Sequence, residues 1–71
     1  MSKIYRHNKS GNLYLVIGIG TDAENNKKKV IYQALYENNE LYVRDYDNFF
    51  EEVELVSGKK PRFENVVVSK K

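Results

Sequence analysis

Four groups of residues in this 71-residue chain have the types and spacing that chemistry could use. His7 is the sole histidine and there is no cysteine, so a zinc site would need carboxylates for its remaining ligands. As a general base, His7 would need an orienting partner and a nearby nucleophile. Ser2, Ser10, Ser57 and Ser69 all fall in termini or turn-like stretches, and no acid stands in a triad-like relation to them. His7 therefore reads as a structural or exposed histidine, and no catalytic residue is assigned. The run Gly18 to Ala23, GIGTDA, fits a relaxed GxGxxA pattern, whose glycines let backbone amides approach a pyrophosphate at a helix N-terminus. The next six residues, ENNKKK, make a polar loop with no amphipathic helix, and the chain is too short for the nucleotide-binding sheet around it. The glycines read as structural, and no cofactor is implied.

Glu51, Glu52 and Glu54 are the third group. They could hold a divalent cation, but successive residues of a strand face opposite ways, so at most two of the three converge. A solvated acidic rim opposite Lys59, Lys60 and Arg62 is the stronger reading, and no metal is assigned. The fourth group is Tyr5, His7, Tyr42, Arg44 and Tyr46. If the strands carrying them lie on neighbouring walls, they set rings beside a guanidinium, which suits cation-π contacts, peptide docking or stacking on bases. The competing reading is structural, because sheet tyrosines commonly pack the ring and leave the hydroxyl wet.

Positioning these groups requires strands. Ile4 to His7 reads as a short first strand, and Asn8 to Asn12 (NKSGN) as a turn in which Gly11 takes positive φ. Leu13 to Thr21 alternates clearly, which predicts Leu13, Leu15, Ile17 and Ile19 on the core face and Gly18 and Gly20 as points where the strand bends or another backbone comes close. Asp22 to Lys29 reads as an exposed loop with Lys27, Lys28 and Lys29 at a solvated tip. Val30 to Tyr36 also has helical spacing, but its β-branched pair and tyrosines favour a strand. Asn38 and Asn39 suit the left-handed conformations of a tight connection. Leu41 to Tyr46 alternates again, with Leu41 and Val43 expected to close the core and Tyr42, Arg44 and Tyr46 on the other face. Asp47 is placed to cap one helical turn over residues 47–52, with Phe49 and Phe50 plugging an open end of the sheet. Glu52 to Val56 returns to strand, Ser57 to Pro61 (SGKKP) reads as a turn, and Arg62 to Val68 as a last strand anchored by Phe63. Residues 69–71 are expected to fray.

Several short strands between turn signals, with at most one helical turn, predict an all-β domain: a small barrel or a strongly coiled antiparallel sheet spanning residues 1–71. A domain of this size buries only about 60% of the surface its unfolded chain exposes, so its stability margin is thin. Hydrophobic residues make up 41% and charged residues 31%, which is ordinary for a folded chain. The lack of cysteine removes thiolate metal sites and cysteine nucleophiles and suits a reducing compartment. No run approaches the roughly 18 apolar residues of a membrane span, and the N-terminus lacks a signal-peptide core. A cytoplasmic protein with no membrane partner is expected. The net charge of +2 is small for a protein devoted to gripping phosphates.

Five ordered blocks carry a resemblance: YRH at 5–7, ALY at 34–36, LYVR at 41–44, FFEEV at 49–53 and PRF at 61–63. Together, over about Lys3 to Glu64, they resemble a small bacterial domain family of unknown function, whose members look like SH3-type β-barrels. Tyr42 and Asp45 stand where that pattern carries tryptophan before VR and proline after it, and an aromatic is missing after His7. The resemblance implies an SH3-like architecture and no activity.

The chain thus reads as built for recognition rather than catalysis: a protein or peptide binding module using Tyr5, His7, Tyr42, Arg44 and Tyr46. The alternative is nucleic-acid binding, with Lys27, Lys28, Lys29, Lys59, Lys60 and Arg62 on phosphates while tyrosines stack. A carboxylate-bound metal enzyme at Glu51 to Glu54 has the least support. Sequence leaves the partner's identity and the oligomeric state open.

Overall fold

The structure, a computed structural model, describes residues 3–67. The last strand, expected over Arg62 to Val68, covers only Phe63–Asn65 among the described residues, while Val68 and the frayed tail expected at 69–71 lie outside them. The elements in order are β1 (Ile4–His7), β2 (Leu13–Thr21), β3 (Lys28–Ala34), β4 (Leu41–Asp45), α1 (Tyr46–Phe50), β5 (Glu52–Leu55), β6 (Gly58–Pro61) and β7 (Phe63–Asn65). They form a five-stranded sheet in the order β4-β3-β2-β1-β7 and a separate β5-β6 hairpin, with every pairing antiparallel. The all-β fold is as expected, and of its two anticipated forms the sheet stays open rather than closing into a barrel. No helix among the described residues is long and apolar enough to cross a membrane.

The turn chemistry explains most boundaries. Gly11 (φ 82°), Asn39 (φ 55°) and Gly58 (φ 116°) take the left-handed conformations that their types tolerate. Asn39 also ties its own turn down by donating from Nδ2 to the Ala34 carbonyl at 3.0 Å. Other boundaries also differ from expectation. β3 begins at Lys28 rather than Val30 and ends at Ala34, so Lys28 and Lys29 belong to the ladder and only Lys27 stays in the connection. Ser57 to Pro61 is not one turn: Val56 and Ser57 form the bend, and Gly58–Pro61 pairs residue by residue with Glu52–Leu55. Two consecutive lysines beside a glycine and a proline hide a hairpin strand from any hydrophobic-alternation test.

The largest difference concerns which face of β2 is core. Tyr14, Val30, Tyr32, Ala34, Phe49 and Phe63 are the buried hydrophobic residues, while Leu13, Ile17 and Ile19 are exposed. Register gives the reason. Tyr14 stands opposite Ala34 and Val16 opposite Tyr32, but Gly18 stands opposite Ile31, so Ile17 is an extra residue in a β-bulge. The bulge reverses the alternation part-way along the strand, so no single set of odd or even positions lines the core. Gly20 permits close packing on the outer side, where an added Cβ would meet Ile31 Cδ1 at 3.3 Å.

The same register carries through β4. Tyr42 stands opposite Tyr32 and Arg44 opposite Val30 on the core side, whereas Leu41 and Val43 pair with Gln33 and Ile31 on the outer side. Leu41 and Val43 are therefore 59% and 64% exposed and do not close the core. The helical turn and its cap lie two residues earlier than expected, since Asp45 rather than Asp47 is the N-cap and the turn ends at Phe50. Asp45 occupies its N-cap without a side-chain cap bond, because its carboxylate is drawn to Lys29 across the ladder. Phe49 is fully buried and stacks on Phe63, with centroids 4.1 Å apart and planes 2° from parallel. Phe50, expected to plug the sheet beside it, is instead 40% exposed.

Candidate functional site

The inner face of the sheet carries an aromatic series. Tyr46 meets Phe50 at 4.8 Å, Phe50 meets Tyr5 at 6.2 Å, and Tyr5 meets the buried Phe49 at 5.5 Å. Beyond the Phe49–Phe63 stack, His7 lies 4.9 Å from Phe63 and 6.5 Å from Tyr14. Tyr14 is in turn 6.2 Å from Tyr42, which stacks on Tyr32 at 5.6 Å. The five residues nominated from the sequence thus all attach to one series but divide between its ends. His7, Tyr42 and Arg44 gather at one end, and Tyr5 and Tyr46 lie beside Phe50 at the other.

The Arg44 end is the more elaborately built. The Arg44 guanidinium sits 5.3 Å from the Phe63 ring centroid. Its Nε donates to the Tyr32 hydroxyl at 3.1 Å, and its Nη1 donates to Asn48 Oδ1 at 2.7 Å. Asn48 serves a second arginine, since Arg62 Nε donates to the Asn48 backbone carbonyl at 3.1 Å. Glu51 then completes a small network, accepting from Asn48 Nδ2 at 3.4 Å and forming an ion pair with Arg62. One asparagine on the helical turn therefore fixes two guanidinium groups, only one of which has a carboxylate partner.

Hydroxyls and an imidazole border the same end. The Tyr14 and Tyr36 hydroxyls share a 2.6 Å hydrogen bond. Burial, followed by that bond, pushes the Tyr14 phenol far above its usual pKa, so it remains a neutral donor and acceptor. Partial burial and the neighbouring Tyr36 and Glu40 also raise the Tyr42 phenol. His7 is held through Nδ1, 2.8 Å from Ser10 Oγ. Burial lowers its pKa below the ordinary 6.5, and Arg44, Arg62 and Lys9 lower it further.

The lysine set nominated for nucleic acid is not brought together. Lys29 is tied to Asp45 on the outer face of the sheet. Lys59 and Lys60 stand on β6 opposite Glu54 and Val53, and Arg62 turns inward to Glu51 and Asn48. Of the three clustered glutamates, Glu51 is engaged by Arg62, while Glu52 and Glu54 stand opposite Pro61 and Lys59. No group of three or more His, Cys, Asp or Glu among the described residues could hold a metal ion.

A family model for proteins of unknown function, DUF1653, matches residues 3–65. The chain belongs to the DUF1653 family. A crystal structure of a DUF1653 protein from Bordetella bronchiseptica is similar to it, with 30% identity, a TM-score of 0.84, and coverage of 99% of this chain and 94% of that one. No curated protein matches the chain. Membership establishes the small all-β DUF1653 fold that the five sequence blocks implied, and it assigns no activity. Within this DUF1653 chain, sequence reasoning overlooked Tyr14, Tyr32, Tyr36 and Asn48. The bulge hid the first of these. Asn48 had no local signal, because its role depends on Arg62, 14 residues further along.

Proposed function

We propose that this DUF1653 chain is a non-catalytic binding module that receives a segment of a protein partner at the Tyr42–Arg44 end of its inner face. The observation that carries this reading is Arg44 itself. Its guanidinium is fixed by Tyr32 and Asn48 beside the stacked, 39% exposed Tyr42, and Nη2 has no protein partner among the described residues. A cation held against two buried rings, Tyr32 and Phe63, beside the partly exposed Tyr42 suits recognition, since little side-chain entropy is lost when a partner docks. Tyr and Arg are also the types that dominate binding hot spots.

A peptide-library selection against the immobilised full chain tests the reading. Selected peptides should bind with weak salt dependence and lose about tenfold or more in affinity to Tyr42→Ala, as hot-spot truncations do. Peptides that bind wild type and Tyr42→Ala alike would overturn it. So would a chain that selects no peptide but binds oligonucleotides with an affinity falling steeply with salt, the signature of released counterions.

A further inference from the structure

We infer that the corner between Arg44 and His7 is the seat of a carboxylate carried by an acidic segment of that partner, an inference that rests on the binding surface proposed above. The two inner arginines differ in one respect. Arg62 is neutralised by Glu51, whereas both groups that hold Arg44, the Tyr32 hydroxyl and the Asn48 amide oxygen, are neutral. Arg44 is half-buried against Phe63 and has no counter-charge among the described residues, and a cation so placed gains more from an anion than it would in open water. With Nε and one Nη1 proton engaged, the edge formed by Nη1 and Nη2 remains, and its planar fork matches a carboxylate.

His7 lies 4.9 Å from the same Phe63 ring, and its Nε2 has no partner among the described residues. The groups facing it are Arg44 from β4, Arg62 beyond β6, Lys9 and Ser10 from the turn, Tyr14 from β2 and Phe63 from β7. Three of these are cations and none is an acid, and after burial they are what lowers its pKa. Of the two guanidinium groups at this corner, Arg62 is paired with Glu51 and Arg44 has no carboxylate partner among the described residues. One free planar fork favours a singly charged planar anion over a phosphate, which draws on several arginines at once.

The experiment titrates the 15N-labelled full chain with an end-blocked hexapeptide of alternating glutamate and leucine. Counterparts carrying glutamine or phosphoserine at the glutamate positions are titrated in parallel. The glutamate peptide is expected to move the Arg44 and Tyr42 signals and to bind about tenfold or more tightly than the glutamine peptide, because charge-assisted bonds to Arg44 are lost in the latter. Burial is the first cause of the lowered His7 pKa and the cations the second, so a carboxylate seated beside these cations should raise the pKa of His7, the sole histidine and hence a single resolved signal. That last readout needs no variant, so it stands even if Arg44→Gln fails to fold. Equal binding of both peptides at this face would overturn the carboxylate seat and leave the binding surface intact. Phosphoserine outbinding glutamate by tenfold or more would overturn it in favour of a phosphate, and an unmoved His7 pKa at saturation would overturn it outright. If none of the peptides shifts this face, the seat and the proposed surface both fall.

Discussion

The two faces of the five-stranded sheet differ in a way their amino-acid types conceal. The inner face holds tyrosines, phenylalanines, an arginine and a histidine, and it is where the buried core lies. The outer face holds Leu13, Leu41 and Val43, all exposed, with the Arg6–Glu64 and Lys29–Asp45 ion pairs set among them. Apart from Val30 and Ala34, the inner face is thus buried mainly through aromatic rings, while aliphatic residues of greater hydropathy stay exposed on the outer face. Aromatic rings cover more area per residue than aliphatic side chains, and their polar tips reach hydrogen bonds at the rim. A small open sheet can therefore cover its inner side with few residues and leave a polar, partly exposed end.

If this contrast holds, substitutions should separate the faces. Phe49→Ala removes a fully buried ring stacked on Phe63 and is expected to cost about 3–5 kcal/mol. Against a total stability of roughly 4–10 kcal/mol for a domain this size, that is enough to leave much of the chain unfolded, as circular dichroism in a urea titration would show. Asn48→Ala should cost about 1–3 kcal/mol, since it strips the Arg44 guanidinium of its Asn48 acceptor, and the urea midpoint measures it. Tyr14→Phe, which breaks the hydroxyl pair with Tyr36, should cost about 1 kcal/mol while leaving the ring contacts in place.

A smaller effect is expected from pH. The pKa of His7 is lower in the folded protein than its unfolded value of 6.5, so the unfolded chain binds the proton more readily. The stabilising contribution is present above pH 6.5 and is lost as pH falls through the lowered folded value. Urea midpoints measured from pH 7.5 to 5 should decline in wild type and flatten in His7→Gln. Asp45 and Glu64 have lowered pKa values, through Lys29 and Asn8 respectively, so their contributions are lost only at more acid pH and do not confuse that window. The smallest effect belongs to the outer face, where Val43→Thr should change stability by no more than about 0.5 kcal/mol. A Val43→Thr variant as damaged as Asn48→Ala would break the comparison, because it would mean that the outer face is packed after all.

What could be read from the sequence was local. β1 and β2 fall where alternation and turn residues place them, Gly11, Asn39 and Gly58 take the positive φ their types allow, and Phe63 is the anchor expected of it. Tyr42 and Arg44 share a face, as strand periodicity requires, and that face bears the candidate site. Periodicity cannot say which of two faces is core when a one-residue bulge reverses it. It also cannot show that Gly58–Pro61 is a strand when its partner, rather than its own hydropathy, defines it. Sequence by itself determined the strand class, the turns at Gly11 and Asn39, and the shared face of Tyr42 and Arg44, because these depend on neighbours a few positions away. The tertiary structure alone decided that the sheet stays open, that Leu41 and Val43 face outward, and that Asn48 joins Arg44 to Arg62, because each depends on cross-strand register or on partners distant along the chain.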